Sequence, residues 1–159
     1  MIFIRPLYKY DIEKLYEMKT NPLIFDKKIF NIDFSTVTKE SINDWFYNFI
    51  NEINTVRLGI CLCESNTLIG SSTLGNVNYN TQTCELHMYI DNIYHGNGYG
   101  YNALKIIIDY CKNILKLKEI YLNVHTENLV AIKLYKKVNF EIISVNSNYI
   151  HMKLNLLDY

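Results

Sequence analysis

The sequence predicts an α/β domain, with one sheet of mixed direction and helices on both of its faces. Three observations lead there. Short runs alternate apolar and polar residues, as from Cys84 to Asp91, with the period of two expected of half-buried strands. Between such runs lie stretches with a helical stripe, clearest at Ile42, Trp45, Phe46, Phe49, Ile50 and Ile53. The 159 residues contain no repeat, linker or low-complexity tract, so residues 1–159 read as a single domain.

Residues 2–8 make a short strand that Pro6 interrupts, which suits an edge. Asp11 is placed to cap a helix whose apolar face is Ile12, Leu15 and Tyr16, and Asn21-Pro22 ends it. Residues 22–37 show no clean period and read as a loop with room for one turn of helix. Thr38 starts the second helix, with Glu40 in its first turn. Its Trp45 and Phe46 read as core, or as an aromatic wall for a substrate. Arg57 to Glu64 is a strand, Ser65-Asn66 a tight turn, and Thr67 to Leu74 the hairpin partner. Gly75 to Gln82 is a polar loop. The next strand puts Cys84, Leu86, Met88 and Ile90 on a greasy face and Glu85, His87, Tyr89 and Asp91 on a polar one. Tyr101 to Leu115 is a helix that buries Leu104, Ile107, Ile108, Cys111, Ile114 and Leu115. Glu119 to Thr126 is a strand and Asn128 to Val138 a short helix. Glu141 to Val145 and Ile150 to Leu154 close the chain as a hairpin. The order is β-α-α-β-β-β-α-β-α-β-β.

Composition excludes several roles. Lys plus Arg equals Asp plus Glu at 16 each, so no basic excess calls for nucleic acid. No apolar run approaches the ~18 residues of a membrane span, and the N-terminus lacks the layout of a signal peptide. Cys61, Cys63, Cys84 and Cys111 form no Cys-x-x-Cys pair. Cys61 and Cys63 face the same side of a strand, and the four read as buried free thiols of a reducing cytosol rather than as metal or redox groups. The four histidines have no metal spacing, so no metal site is expected.

The chemistry starts at His95 to Gly100, read His-Gly-Asn-Gly-Tyr-Gly, between a strand and a helix. Glycines at alternate positions let such a segment curl and aim its amides at one spot. A glycine turn opening a helix is an anion site, so a phosphate-bearing ligand is expected here, unless the segment is only a glycine-rich turn. The spacing is not Gly-x-Gly-x-x-Gly, since position 101 is Tyr. Nor is it a P-loop, since Tyr101-Asn102 follows Gly100 where Lys-Ser/Thr belongs.

That order of elements, with the glycine turn between the fourth strand and the third helix, resembles the GNAT superfamily of acyl-CoA-dependent N-acetyltransferases over nearly the whole chain. His95, Gly98 and Gly100 occupy the positions of the family's Gln/Arg-x-x-Gly-x-Gly/Ala turn. Glu127-Asn128, Ala131, Leu134-Tyr135 and Asn139-Phe140-Glu141 resemble its Glu-Asn-x-x-Ala-x-x-Leu-Tyr…Gly-Phe signature, and Leu68-Ile69-Gly70 its third strand. There are two departures. His95 stands for Gln or Arg, and Asn139 for Gly; Asn tolerates a left-handed backbone, so that turn can survive.

The resemblance implies a single mixed, mostly antiparallel sheet of about seven strands flanked by about four helices, splayed between strands 4 and 5. It implies acetyl-CoA as co-substrate. The amides of His95, Gly96, Asn97, Gly98, Tyr99 and Gly100 would hold its pyrophosphate. The strand backbone at Met88, Tyr89 and Ile90 would bind its pantetheine arm as an added strand. Asn128 would hold the pantetheine or the substrate side, and Tyr135 the sulfur.

Three tasks follow from attack of an amine on a thioester. Tyr135 is the expected general acid for the leaving thiolate, or else a packed aromatic among 14 tyrosines. Glu85 is the expected base, with His87 and His125 as further candidates and a strand ion pair as the alternative for Glu85. A strand amide near Tyr89 would serve the developing oxyanion. In the family the segment between the first two helices and the last hairpin set the acceptor, here about residues 22–37 and 144–150. Asp26, Asp33 and Glu40 would attract an amine, but Lys27 and Lys28 lie among them. Neutral net charge favours a small-molecule amine such as an amino sugar or polyamine. The alternatives are N-terminal or lysine acetylation of a protein, or an acyl-CoA-binding module without transfer. A cytoplasmic monomer or homodimer is expected.

Overall fold

In a computed structural model, which describes residues 1–20, 36–49 and 52–159, the strands are β1 (Ile2–Pro6), β2 (Val56–Leu62), β3 (Leu68–Asn78), β4 (Thr83–Ile90), β5 (Glu119–His125), β6 (Glu141–Val145) and β7 (Tyr149–Asn155). They form one sheet in the order β1-β2-β3-β4-β5-β7-β6. Every neighbouring pair is antiparallel except β4 with β5. The α-helices among the described residues are α1 (Ile12–Thr20), α2 (Lys39–Phe49), α3 (Tyr99–Asn113) and α4 (Leu129–Lys137).

Alternation in the strands sends side chains to two cores. Ile60, Leu86, Ile90, Ile120, Leu122 and Met152 pack with Leu104, Ile107 and Ile108 of α3 and Tyr135 of α4. Each such aliphatic side chain contributes about 1.5–3 kcal/mol by leaving water. On the opposite face Cys61 and Leu68 pack with Leu15 and Met18 of α1 and Ile42 of α2, and Tyr89 joins them. The two sides of β4 therefore look into different layers, which matters for the chemistry below.

Several boundaries differ from the sequence expectation for local reasons. β3 runs on to Asn78, through residues that the polar pattern assigns to a loop. Ile53 is 94% exposed and Ile114 is 65% exposed, because each lies beyond its helix. Cys63 likewise lies past the end of β2 and is exposed, unlike Cys61. Asp11 does not cap α1. It sits in a single 3-10 turn and accepts from both Arg5 guanidinium nitrogens at 2.7 and 2.9 Å, and from Tyr8 N at 2.7 Å. That fork ties β1 to the start of α1, and the buried carboxylate raises the Arg5 pKa. Thr38 does cap α2: Ser41 N donates to Thr38 Oγ1 and Thr38 N to Ser41 Oγ, both at 3.0 Å. Asn139 takes φ 69° after α4, the left-handed turn that its residue type permits.

Trp45 is neither plain core nor open wall. Lys19 Nζ lies 4.4 Å from its ring centroid and the Arg57 guanidinium 4.9 Å. Burial, with Arg57 adding to it, pushes the Lys19 ammonium down to about 8. The expected acceptor loop, with Asp26, Lys27, Lys28 and Asp33, lies outside the described residues apart from its end. Among the described residues no helix is long and apolar enough to cross a membrane, and no group of three or more His, Cys, Asp or Glu is placed to hold a metal.

Candidate active site

The sheet comes apart beside β4. Its parallel ladder with β5 covers only Thr83–Glu85 against Glu119–Tyr121. Past Glu85 that pairing stops, while β5 continues with β7 and β4 stays with β3 up to Ile90. This is the expected splay between strands 4 and 5. Gly70 lets β3 and β4 close up on the other side: a Cβ there would lie 2.4 Å from Tyr89 O.

Alternation decides which backbone groups face the gap. Asp91 N donates to Ile69 O at 2.8 Å, so that pair bonds towards β3. Ile90, Met88 and Leu86 then turn N–H and C=O the other way, into the gap. Tyr89 turns its own into the ladder opposite Ser71, and its ring goes to the α1/α2 layer. Burial there pushes its hydroxyl up to about 12. Of the three strand residues expected to bind a ligand arm, Met88 and Ile90 turn backbone groups into the gap and Tyr89 turns its own into the ladder. The sequence gives the alternation of side chains; the direction of the amides depends on which neighbour β4 keeps.

The gap leads to the glycine turn. Asn92–Tyr94 is one 3-10 turn, capped by the Asp91 carboxylate, which also meets Lys14 Nζ of α1 at 2.9 Å. Gly96 and Gly98 follow with φ 79° and 74°, and a Cβ on either would meet nothing within 4 Å. Gly98 is the residue before α3, and the first helical bond runs from Asn102 N to Gly98 O at 3.1 Å. The amides of Tyr99, Gly100 and Tyr101 thus lack helical acceptors. Those of Gly96, Asn97 and Gly98 find no acceptor among the described residues. Free amides, open space and a helix N-terminus suit a diphosphate. The side chains do something else: Asn97 Nδ2 donates to the carbonyls of Tyr94 and His95, and His95 Nε2 lies 2.9 Å from Ile90 O.

Tyr135 lies on α4. It is buried in the core cluster that contains Leu86, Ile90 and Val124, with its ring 5.6 Å from that of Phe140. Its hydroxyl makes no hydrogen bond among the described residues, and burial alone pushes it up to about 12. It is a proton donor throughout the physiological range. Asn128 stands before α4 rather than in it, and its Oδ1 accepts from Ala131 N at 3.2 Å. No hydrogen bond among the described residues uses its Nδ2.

Glu85 lies at the apex, the last residue of β4 to pair with β5. Asn123 Nδ2 donates to its Oε1 at 2.9 Å and Asn76 Nδ2 to its Oε2 at 3.2 Å. His87 Nε2 is 3.6 Å from Oε1. Glu85 is thus held by amides of neighbouring strands rather than by Lys or Arg. Neither asparagine carries a sequence signal of its own; only the strand register brings them to Glu85. His125 is committed elsewhere, its Nδ1 accepting from Glu127 N at 3.3 Å and its ring 5.5 Å from that of Tyr149. By alternation Glu85 and His87 lie on the α1/α2 side, whereas Tyr135 lies on the α3/α4 side.

Comparison with known proteins agrees with this geometry. Residues 2–141 match the model of a family described as an acetyltransferase (GNAT) domain. A spermine/spermidine N(1)-acetyltransferase of Bacillus subtilis is 38% identical over 53 residues, 33% of this chain and 35% of that protein. A spermidine N(1)-acetyltransferase of Escherichia coli is 24% identical over 139 residues, 87% of this chain and 72% of that one. The chain therefore spans only about a third of the first relative's length. A Vibrio cholerae spermidine N-acetyltransferase, solved in complex with CoA and spermine, superposes with a TM-score of 0.87 at 20% identity, over 98% of this chain and 96% of that one. At that identity the likeness is one of fold.

Proposed function

The chain belongs to the GNAT acetyltransferase family, and from that premise we propose that it moves an acetyl group from acetyl-CoA to a primary amine of a small molecule, with a polyamine as first candidate. The observation that carries this reading is the interrupted β4–β5 ladder leading into a turn of free amides. The polyamine preference is supported by the activities named for the relatives. Protein acetylation is the second reading, tested by thiol release with a peptide acceptor. The enzyme acts as a cytoplasmic monomer or homodimer, without a metal.

Acetyl-CoA, when bound, supplies an acetyl thioester. The turn amides from Gly96 to Gly100 hold its diphosphate, whereas that of His95, expected among them, is taken by Asn92 O. Met88 offers a backbone donor and acceptor to its arm and Ile90 a backbone donor, and one of their amides stabilises charge on the reacting oxygen. Glu85 takes a proton from the incoming ammonium on the α1/α2 side, with Asn76 and Asn123 fixing its orientation. Tyr135 delivers its hydroxyl proton to the departing sulfur on the α3/α4 side.

Binding is tested by melting. A ligand at a hundredfold excess over its Kd adds about 2.7 kcal/mol to stability if only the native state binds it. For a domain of this size that raises Tm by about 5–10 °C. Acetyl-CoA is expected to do this and NAD is not; an equal shift from NAD would return the turn to a dinucleotide role.

A further inference from the structure

His95 is the residue that departs from the family's turn, and its ring does not face the turn's open side. Its Nε2 lies 2.9 Å from the carbonyl oxygen of Ile90. A carbonyl only accepts, so Nε2 carries the hydrogen and the imidazole donates. That carbonyl is one of the groups that alternation turns into the gap, where the ladder to β5 has ended.

The turn is flanked by Tyr94 and Tyr99, which pack against the core with their rings 6.3 Å apart, and the residues between and beside them are open. Ile93 is 67% exposed. A Cβ at Gly96 or Gly98 would meet nothing within 4 Å, so no packing presses on the loop there. Its position depends on its two ends. The far end is α3. The near end closes through Tyr94 N to Asp91 O at 2.9 Å, His95 N to Asn92 O at 3.0 Å, and the His95 ring to Ile90. Of these only the ring spans from the turn back to β4.

We infer that His95 is a positioning residue for the donor's diphosphate: its imidazole clamps the start of the glycine turn to the Ile90 carbonyl and so sets the free amides of residues 96–98 in line with the gap. This rests on the reading of the turn as the acetyl-CoA site. It differs from direct contact, because the nitrogen that would reach a phosphate is already donating to the strand.

The test uses His95→Ala and His95→Gln in the full chain, the Gln amide being a neutral donor of similar reach. One lost hydrogen bond is worth about 0.5–1.5 kcal/mol, which corresponds to about 3–10-fold in affinity. His95→Ala is expected to raise the Kd for acetyl-CoA by that factor, and His95→Gln to stay within about twofold of wild type. The KM for S-acetyl-pantetheine, which lacks the diphosphate, should not move. In the ligand-free protein the Tyr94 amide should exchange with solvent several-fold faster in the Ala variant and normally in the Gln variant. Equal Kd values for Ala and wild type overturn the clamp. So does an equal loss in Ala and Gln, or a parallel rise in the acetyl-pantetheine KM. If wild type itself binds no acetyl-CoA, the reading of the turn fails, and the clamp's role in it fails too.

Discussion

Tyr135→Phe is expected to lower kcat for acetyl transfer at least about 100-fold, the low end of what a general acid contributes. The substitution removes one oxygen and keeps the ring that packs beside Phe140. Tm and the affinity for acetyl-CoA should therefore change little. Because burial holds the hydroxyl at about 12, it stays protonated at every pH at which the enzyme would be assayed. The alkaline side of a wild-type kcat profile below about pH 10 should then carry no step from Tyr135. Steady-state kinetics with the melting curve beside it separates the two roles of the residue. A Phe variant within about threefold of wild type would leave Tyr135 as packing alone.

Gly98→Val has the other large expected effect, and it falls on binding. The residue has φ 74°, a conformation that costs an L-residue about 1–2 kcal/mol and a β-branched one more. The space before it is open, so the fold does not exclude a side chain on contact grounds. A valine would stand where a ligand approaches the free amides. Losing two charge-assisted hydrogen bonds at about 1.5 kcal/mol each raises Kd on the order of 100-fold. Titration calorimetry on the folded variant measures it. Unchanged affinity would mean that the segment only reverses the chain between β4 and α3. Gly100→Ala is the milder comparison, since a Cβ there meets Leu134 at an ordinary 3.6 Å.

Much of this site was legible because its parts are local. The alternation from Cys84 to Asp91, the glycines at 96 and 98, and Asn139 in place of glycine are each decided within a few residues. What escaped depends on partners distant in sequence. Alternation told which way the Tyr89 side chain points, but its amide direction required knowing that β3 stays paired and β5 leaves. Glu85 was visible as a carboxylate on a polar face. Its holders, Asn76 and Asn123, come from two other strands and look like ordinary polar residues. Asp11 looked like a cap because nothing local announces Arg5 as its partner. Helical periodicity ran past its true end at Ile53 and Ile114, since a stripe shows a face and not a terminus.

Transfer of acetyl to a small amine is read by thiol release from acetyl-CoA. The acceptors are a polyamine, an amino sugar and a peptide with a free N-terminus and a lysine, with products identified by mass spectrometry. Release well above the acceptor-free rate is expected with the polyamine or the amino sugar, with an acetylated amine as product. Release with the peptide alone would make the chain a protein acetyltransferase. No release with any acceptor, from a protein that binds acetyl-CoA, would contradict catalysis and leave a binding module.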